Sequence, residues 1–193
     1  MLSFNDILTK YANRDNIHGT DKNTTHSYGE LYSKLFLDMK NKNVVKKILE
    51  IGVFSGASVV TFADYFENAE VFGADINLSR VIFGKDNDRI KYFKVDATKD
   101  ESVTIFKNEK FDIILDDASH LPEDQVKTLD LFAPLLSKNG LYIIEDISDQ
   151  NDLDALKANL LNVASNHGLV LEWYDMRKLK GRYDDIVAVF NKK

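Results

Sequence analysis

The sequence predicts an α/β fold: a mostly parallel seven-stranded sheet with an antiparallel last strand and helices on both faces. Three observations carry this. From Lys47 onward, short β-branched runs alternate with segments of helical period, the pattern of βα units around a parallel sheet. Several runs are apolar from end to end, as strands covered on both faces must be. The last two runs are joined by a polar stretch of hairpin character, which sets the final strand against its neighbours.

Residues 1–46 read as helical and loop-like, with no strand of their own. Strands are expected at Ile48–Val53, Glu70–Ile76, Ile90–Val95, Phe111–Asp116 and Leu141–Glu145. Ala57–Phe66 reads as the helix after the first strand. Glu123–Leu136 reads as another, because Val126, Leu129, Phe132, Ala133 and Leu136 recur on one face, with Pro122 at its start and Asn139-Gly140 as its stop. Asp152–Asn166 is a third, closed by His167-Gly168. The closing strands are Val170–Tyr174, where Trp173 and Tyr174 read as core, and Ile186–Phe190, joined by Asp175–Asp185. A length of 193 residues fits one domain over 1–193, with 1–46 as an N-terminal segment and 47–193 as the core.

A hydrophobic content of 44% supports a packed core, and no low-complexity tract interrupts it. The net charge of −6 speaks against a nucleic-acid backbone as partner. The absence of cysteine excludes disulfides, thiolate metal sites and cysteine nucleophiles. The N-terminus lacks the apolar run of a signal peptide, and no stretch approaches the ~20 apolar residues of a membrane span. The expectation is a cytoplasmic protein with neither nucleic acid nor membrane as partner; a homo-oligomeric state is compatible with it.

In open α/β sheets, ligands bind beyond the carboxyl ends of the strands. Five such ends carry carboxylates here: Glu50, Asp75, Asp96, Asp116-Asp117 and Glu145-Asp146. Packing alone does not account for that. The first strand runs into Glu50-Ile-Gly52-Val53-Phe-Ser55-Gly56-Ala-Ser58, where the glycines allow a tight turn and the helix start offers free N–H groups. The spacing is Gly-x-x-x-Gly, not the Gly-x-Gly-x-x-Gly of a dinucleotide site. Glu50 would repel a pyrophosphate and suits a cation, so an NAD-dependent oxidoreductase is the weaker reading and a sulfonium cofactor with an amino group the stronger. Asp75 is placed to accept from ribose hydroxyls, and Asp96 from an adenine amino group. For each, a helix N-cap is the competing reading.

Glu50-Ile-Gly52-Val53-x-x-Gly56-x-Ser58, Asp75-Ile76, Val95-Asp96-Ala97 and the strand order resemble the class I S-adenosylmethionine-dependent methyltransferases, which are Rossmann-like. Phe111-Asp-Ile-Ile-Leu-Asp-Asp-Ala-Ser-His120 and Leu141-Tyr-Ile-Ile-Glu145-Asp146 are similar to the metal-dependent sugar O-methyltransferases acting on glycosylated macrolides, and to the cephalosporin-hydroxylase-like group. Gly19-Thr-Asp-Lys22-x-Thr-Thr-His26-x-Tyr28 resembles a motif of that group as well. The likeness runs from about Gly19 to Phe190 and departs at Ala118, where the motif commonly has Gly.

The resemblance implies methyl transfer from S-adenosylmethionine to a hydroxyl of a sugar or glycosylated small molecule, with a catechol-like acceptor as the alternative. It implies cofactor contacts from Glu50, Gly52, Val53, Ser55 and Ser58, then from Asp75, Asp96, Ala97 and Asp117. It further implies Mg²⁺ or another divalent cation on Asp117, Glu145 and Asp146, with His120 as general base. Carboxylates from two strand ends suit a hard cation that keeps positions open for substrate oxygens. A histidine three residues after Asp117 suits proton transfer near neutral pH.

The competing reading is that Asp-Asp-Ala-Ser-His caps the Pro122 helix through Ser119 or His120, which leaves Glu145-Asp146 unexplained. Asp116 should point elsewhere by strand alternation. Lys22, His26 and Tyr28 either fold over cofactor or substrate or are surface residues. Arg177, Lys178, Lys180 and Arg182 either meet an anionic substrate or, the stronger reading, form a solvated face.

Overall fold

A computed structural model describes residues 2–12, 18–150 and 152–193. Helices α1 (Phe4–Lys10) and α2 (Tyr28–Asn41) precede the first strand. The strands are β1 (Lys47–Ile51), β2 (Glu70–Asp75), β3 (Ile90–Lys94), β4 (Phe111–Asp116), β5 (Leu136–Ile144), β6 (Leu169–Asp175) and β7 (Ile186–Lys192). Between them lie α3 (Ala57–Tyr65), α4 (Pro122–Phe132), α5 (Leu153–Asn166) and the short α6 (Arg177–Lys180). The sheet order is β3-β2-β1-β4-β5-β7-β6, parallel throughout except for β7, which runs antiparallel to both neighbours. The expected fold is therefore the observed one. Strand order switches between β1 and β4, the place where such sheets open a ligand crevice.

Strand alternation sorts the core into two faces. Ile48, Val71, Ile113, Leu115, Ile143, Val187 and Val189 pack with α1, α2 and α3. Leu49, Phe72, Ile114, Tyr142, Ile144 and Phe190 pack with α4 and α5. On the first face Phe4 meets Tyr32, Phe36, Phe62 and Tyr65 at ring separations of 5.8, 5.0, 5.1 and 5.3 Å. All five rings are buried; burying a side chain of this size stabilises by roughly 1.5–3 kcal/mol. Ser3 and Asp6 form a reciprocal cap on α1, so the N-terminal segment docks as a defined element.

Three details differ from the sequence reading. The fourth helix ends at Phe132, with a 3-10 turn over Ala133–Leu135, because Pro134 has no N–H to continue the ladder. The chain is then already extended at Leu136, so Asn139-Gly140 lies inside β5 rather than stopping a helix. Trp173 and Tyr174 are half-buried rather than fully core: they lie on opposite faces of β6, Trp173 against one core cluster and Tyr174 against the other, and β6 is the sheet edge. No helix among the described residues is long and apolar enough to cross a membrane.

Candidate active site

A cavity of about 730 Å³ opens over the carboxyl ends of β1 to β5, within the roughly 300–1,000 Å³ usual for small-molecule sites. Its wall includes Gly52, Val53, Ser55 and Ser58 after β1, Asp75 at the end of β2, and Asp96 and Ala97 after β3. Asp117 and His120 follow from β4, Asp146 from β5, and Gly19 to Lys22 close the rim. Seven aspartates line it (Asp21, Asp75, Asp96, Asp116, Asp117, Asp124, Asp146) against Lys22 and Arg80. That balance favours a cationic occupant and disfavours a pyrophosphate.

Gly52, at φ +85°, lets β1 pass against β4: a Cβ there would lie 2.1 Å from the Asp117 carbonyl oxygen. Asp75 accepts from the backbone N–H groups of Val53 (2.9 Å), Phe54 (3.2 Å) and Asn77 (2.8 Å), fixing the turn after β1. Asp96 accepts from the N–H and hydroxyl of Thr98, at 3.0 and 2.6 Å. Neither caps a helix; Asn77 caps the turn at Leu78–Arg80. Ser55 accepts from the Gly19 N–H at 3.3 Å and so ties the N-terminal loop to the same wall.

Glu50 is placed differently. It is fully buried beneath the cavity, accepts from the Ser58 hydroxyl, and leaves Oε2 without a partner. Burial pushes its carboxyl up to about 7, against the pull of Lys22 and Ser58.

Alternation explains what gathers beside it. Glu50, Asp117 and Glu145 extend the register of Ile48, Leu115 and Ile143, and so face the N-terminal segment. Lys22 meets them there, buried. Its Nζ lies 2.5 Å from Asp117 Oδ2, donates to Glu145 Oε2, and is 3.9 Å from Glu50 Oε1. Burial disfavours the ammonium, but Asp117, Glu145 and Glu50 outweigh it and hold Lys22 charged. The Tyr32 hydroxyl donates to Glu145 Oε1, and that of Tyr28 to Asp146 Oδ1. Burial, then the adjoining carboxylates, pushes both phenols far up, so both remain donors. His26 stacks on Tyr28 and pairs with the buried Asp185 at 2.9 Å.

Asp116 points to the other face, where Thr128 donates to it. Burial pushes it up to about 6, against that hydrogen bond.

His120 caps no helix; α4 starts after Leu121 without a side-chain cap. Its Nε2 lies 3.1 Å from Asp117 Oδ1 and 3.6 Å from Asp146 Oδ2, with 42% of the side chain exposed to the cavity. Burial lowers its pKa, but the hydrogen bond and charge of Asp117, then Asp146, win and raise it to about 9. Asp117 is held well below the usual carboxylate range, the charge of Lys22 and the bond to His120 outweighing burial. One ligand atom each from Asp117, His120 and Asp146 falls within 4.8 Å of the others, a spacing that can hold a metal ion.

The backbone marks the same place. Phe54, His120 and Asp146 have φ of 46°, 59° and 52°, in the left-handed region that costs a non-glycine residue of order 1–3 kcal/mol. All three line the cavity; the other two described non-glycine cases are asparagines, which tolerate it.

Tyr32 and Asp185 were not among the residues the sequence singled out. Tyr32 had a signal: it stands four residues after Tyr28 and four before Phe36, one helix stripe. Asp185 had none.

An acidic crevice at the switch point of such a sheet places the chain among the open α/β proteins that bind a ligand beyond the carboxyl ends of their strands. Residues 42–188 match the methyltransferase-domain family, and the chain belongs to it. It is 29% identical over 140 residues to the 8-demethyl-8-alpha-L-rhamnosyl tetracenomycin-C 2'-O-methyltransferase of Streptomyces olivaceus, covering 67% of this chain and 35% of that protein. It is 29% identical over 132 residues to the mycinamicin VI 2''-O-methyltransferase of Micromonospora griseorubida, covering 63% and 32%. The chain thus spans about a third of the length of these curated relatives. The MycE methyltransferase of the mycinamycin pathway, solved with Mg, SAH and mycinamycin VI, superposes with a TM-score of 0.72 at 22% identity, over 100% of this chain and 55% of that one. At that identity the likeness carries the fold.

Proposed function

We propose that this chain is an S-adenosylmethionine- and divalent-metal-dependent O-methyltransferase acting on a hydroxyl of a sugar-containing small molecule, in the cytoplasm. One observation carries the reading: His120 stands between Asp117 and Asp146 at the floor of an acidic cavity on a methyltransferase-family sheet. Relatives named for methylating rhamnosyl and mycinamicin sugars support the acceptor class.

Both groups fit the residues present. The cavity is large enough for an adenosine cofactor and its excess of aspartates suits a sulfonium and an ammonium. Asp117 and Asp146 offer hard oxygens to a divalent cation, with Mg²⁺ the natural choice. When bound, the cofactor supplies an electrophilic methyl and the cation orients acceptor oxygens and eases loss of the hydroxyl proton.

The chain does the rest. With the cofactor bound, Gly52, Val53, Ser55 and Ser58 would line its amino-acid end, Asp75 would accept from its ribose, and Asp96 and Ala97 would border its base. His120 Nε2 receives the acceptor's proton. The Gly19–Lys22 rim limits water at the reacting centre. Positioning dominates catalysis.

Calorimetry tests the cofactor assignment. S-adenosylmethionine or S-adenosylhomocysteine should bind in the micromolar range, on the order of −8 kcal/mol, and NAD should give no heat. Binding of NAD alone would end the reading.

A further inference from the structure

Helix α4 buries two polar side chains on the face it turns to the sheet. Beside Leu129 and Phe132, which pack in the core, stand Gln125 and Thr128, 3% and 1% exposed. Residues three apart share a helix face, so both reach the strand ends together. The Thr128 hydroxyl donates to Asp116 at the end of β4. Gln125 Nε2 donates at 3.1 Å to the carbonyl of Glu145, just past β5. Its Oε1 has no partner among the described residues, so that one bond orients the buried amide.

The carbonyl belongs to the peptide that leads into Asp146. Register pairing of β5 ends at Ile144, and Asp146 then turns left-handed, at φ 52°. A non-glycine residue keeps that conformation only where its surroundings over-determine it. On one side the Glu145 N–H donates to the Asp116 carbonyl at 3.0 Å; on the other, the Ile147 N–H donates to the Ile186 carbonyl at 3.1 Å. Gln125 fixes the peptide between them. Held so, the Asp146 carboxylate lines the cavity, with Oδ1 taking the Tyr28 hydroxyl and Oδ2 3.6 Å from His120 Nε2. Helix α4 also starts directly after His120-Leu121, so the amide ties the element that follows His120 to the strand end that carries Asp146.

We propose that Gln125 is a positioning residue: by holding the Glu145 carbonyl it fixes the left-handed turn at Asp146 and aims that carboxylate into the cavity beside His120. What this does for a bound cation rests on the metal-dependent reading above; the brace itself does not. The experiment compares wild type with two variants. Gln125→Met fills the same space but cannot donate, and Gln125→Asn keeps the amide but is one methylene short. In chelator, amide exchange at Ile147 should speed up by about tenfold in both, while Tyr142 and Ile143 in the ladder of β5 keep their rates. With S-adenosylhomocysteine saturating, Mn²⁺ counted by electron paramagnetic resonance should bind both variants about tenfold more weakly than wild type. S-adenosylhomocysteine itself should bind all three proteins equally in chelator. A glutamine that only filled space would move neither reading, since methionine adapts to the same gap. Unchanged exchange at Ile147, or Mn²⁺ affinity within about threefold of wild type, would overturn the inference. So would an equal loss of S-adenosylhomocysteine, the mark of a general loosening of α4. If wild type binds no Mn²⁺, the metal-dependent reading falls and exchange at Ile147 alone decides the brace. Should Gln125→Met not fold, Gln125→Asn gives both readings.

Discussion

His120 carries two demands on one nitrogen. In the metal-free protein Asp117 and Asp146 raise its pKa to about 9, so at neutral pH it is an imidazolium and no base. A divalent cation held by those two carboxylates would offset the charges that hold the proton. On the reading proposed above, the residue would act as a base where the centre is loaded. Two measurements follow. With cation and cofactor present, His120→Ala should cut kcat by about 10²–10⁴-fold while leaving cofactor affinity nearly unchanged. In chelator, the difference in Tm between wild type and His120→Asn should be largest below pH 6.5 and vanish as pH rises through about 9. The sign follows from the shift: a group whose folded pKa is raised stabilises the fold while protonated in both states, and the gain is lost as the folded form deprotonates. A difference growing toward alkaline pH would contradict the ion-pair geometry.

At the scale of elements, α2 matters most, because it builds the centre without touching the cavity wall. Tyr28, Tyr32 and Phe36 form one stripe: Phe36 anchors in the aromatic core while the two hydroxyls reach Asp146 and Glu145. Tyr32→Phe keeps the packing and removes one donor from a buried carboxylate, so it should cost about 1–3 kcal/mol in denaturant unfolding. A loss below about 0.5 kcal/mol would mean the bond contributes nothing net. The sheet itself was legible because every buried strand must be an apolar run, and the carboxylates at the strand ends stood out against those runs. The partners of those carboxylates were not legible. Lys22 and Glu145 lie 123 positions apart, and no periodicity joins them. The sequence left Lys22, His26 and Tyr28 open between surface and lid; exposures of 2%, 3% and 1% exclude the surface. Helix α4 ran too long in the sequence reading because its apolar stripe continues past Pro134, and a missing backbone donor outranks a continuing stripe.

Across the whole molecule, the two ends of the chain close the centre together. Lys180, in the connection between β6 and β7, donates to the carbonyls of Asn23, Thr24 and His26 at 2.8, 2.9 and 2.5 Å. Asp185, at the start of β7, takes His26 from the other side. Of the basic cluster, Arg177 pairs with Asp149 and Asp175, and Arg182 with Asp184, so three of its four members are engaged within the fold. Lys180 is thus a clamp on the loop that carries Lys22 and borders the cavity. Lys180→Met removes all three bonds without touching a residue of the cavity wall. Amide hydrogen exchange over residues 19–27 should speed up, since the loop would lose a charged anchor while the sheet keeps its ladder. Cofactor affinity should fall by about tenfold, the equivalent of one net hydrogen bond's worth of loop ordering, about 1.4 kcal/mol. Lys178→Met, on the same short helix, is the control and should change neither quantity. Unaltered exchange in the Lys180 variant would show that the loop is held from within, by Lys22 and its carboxylates alone.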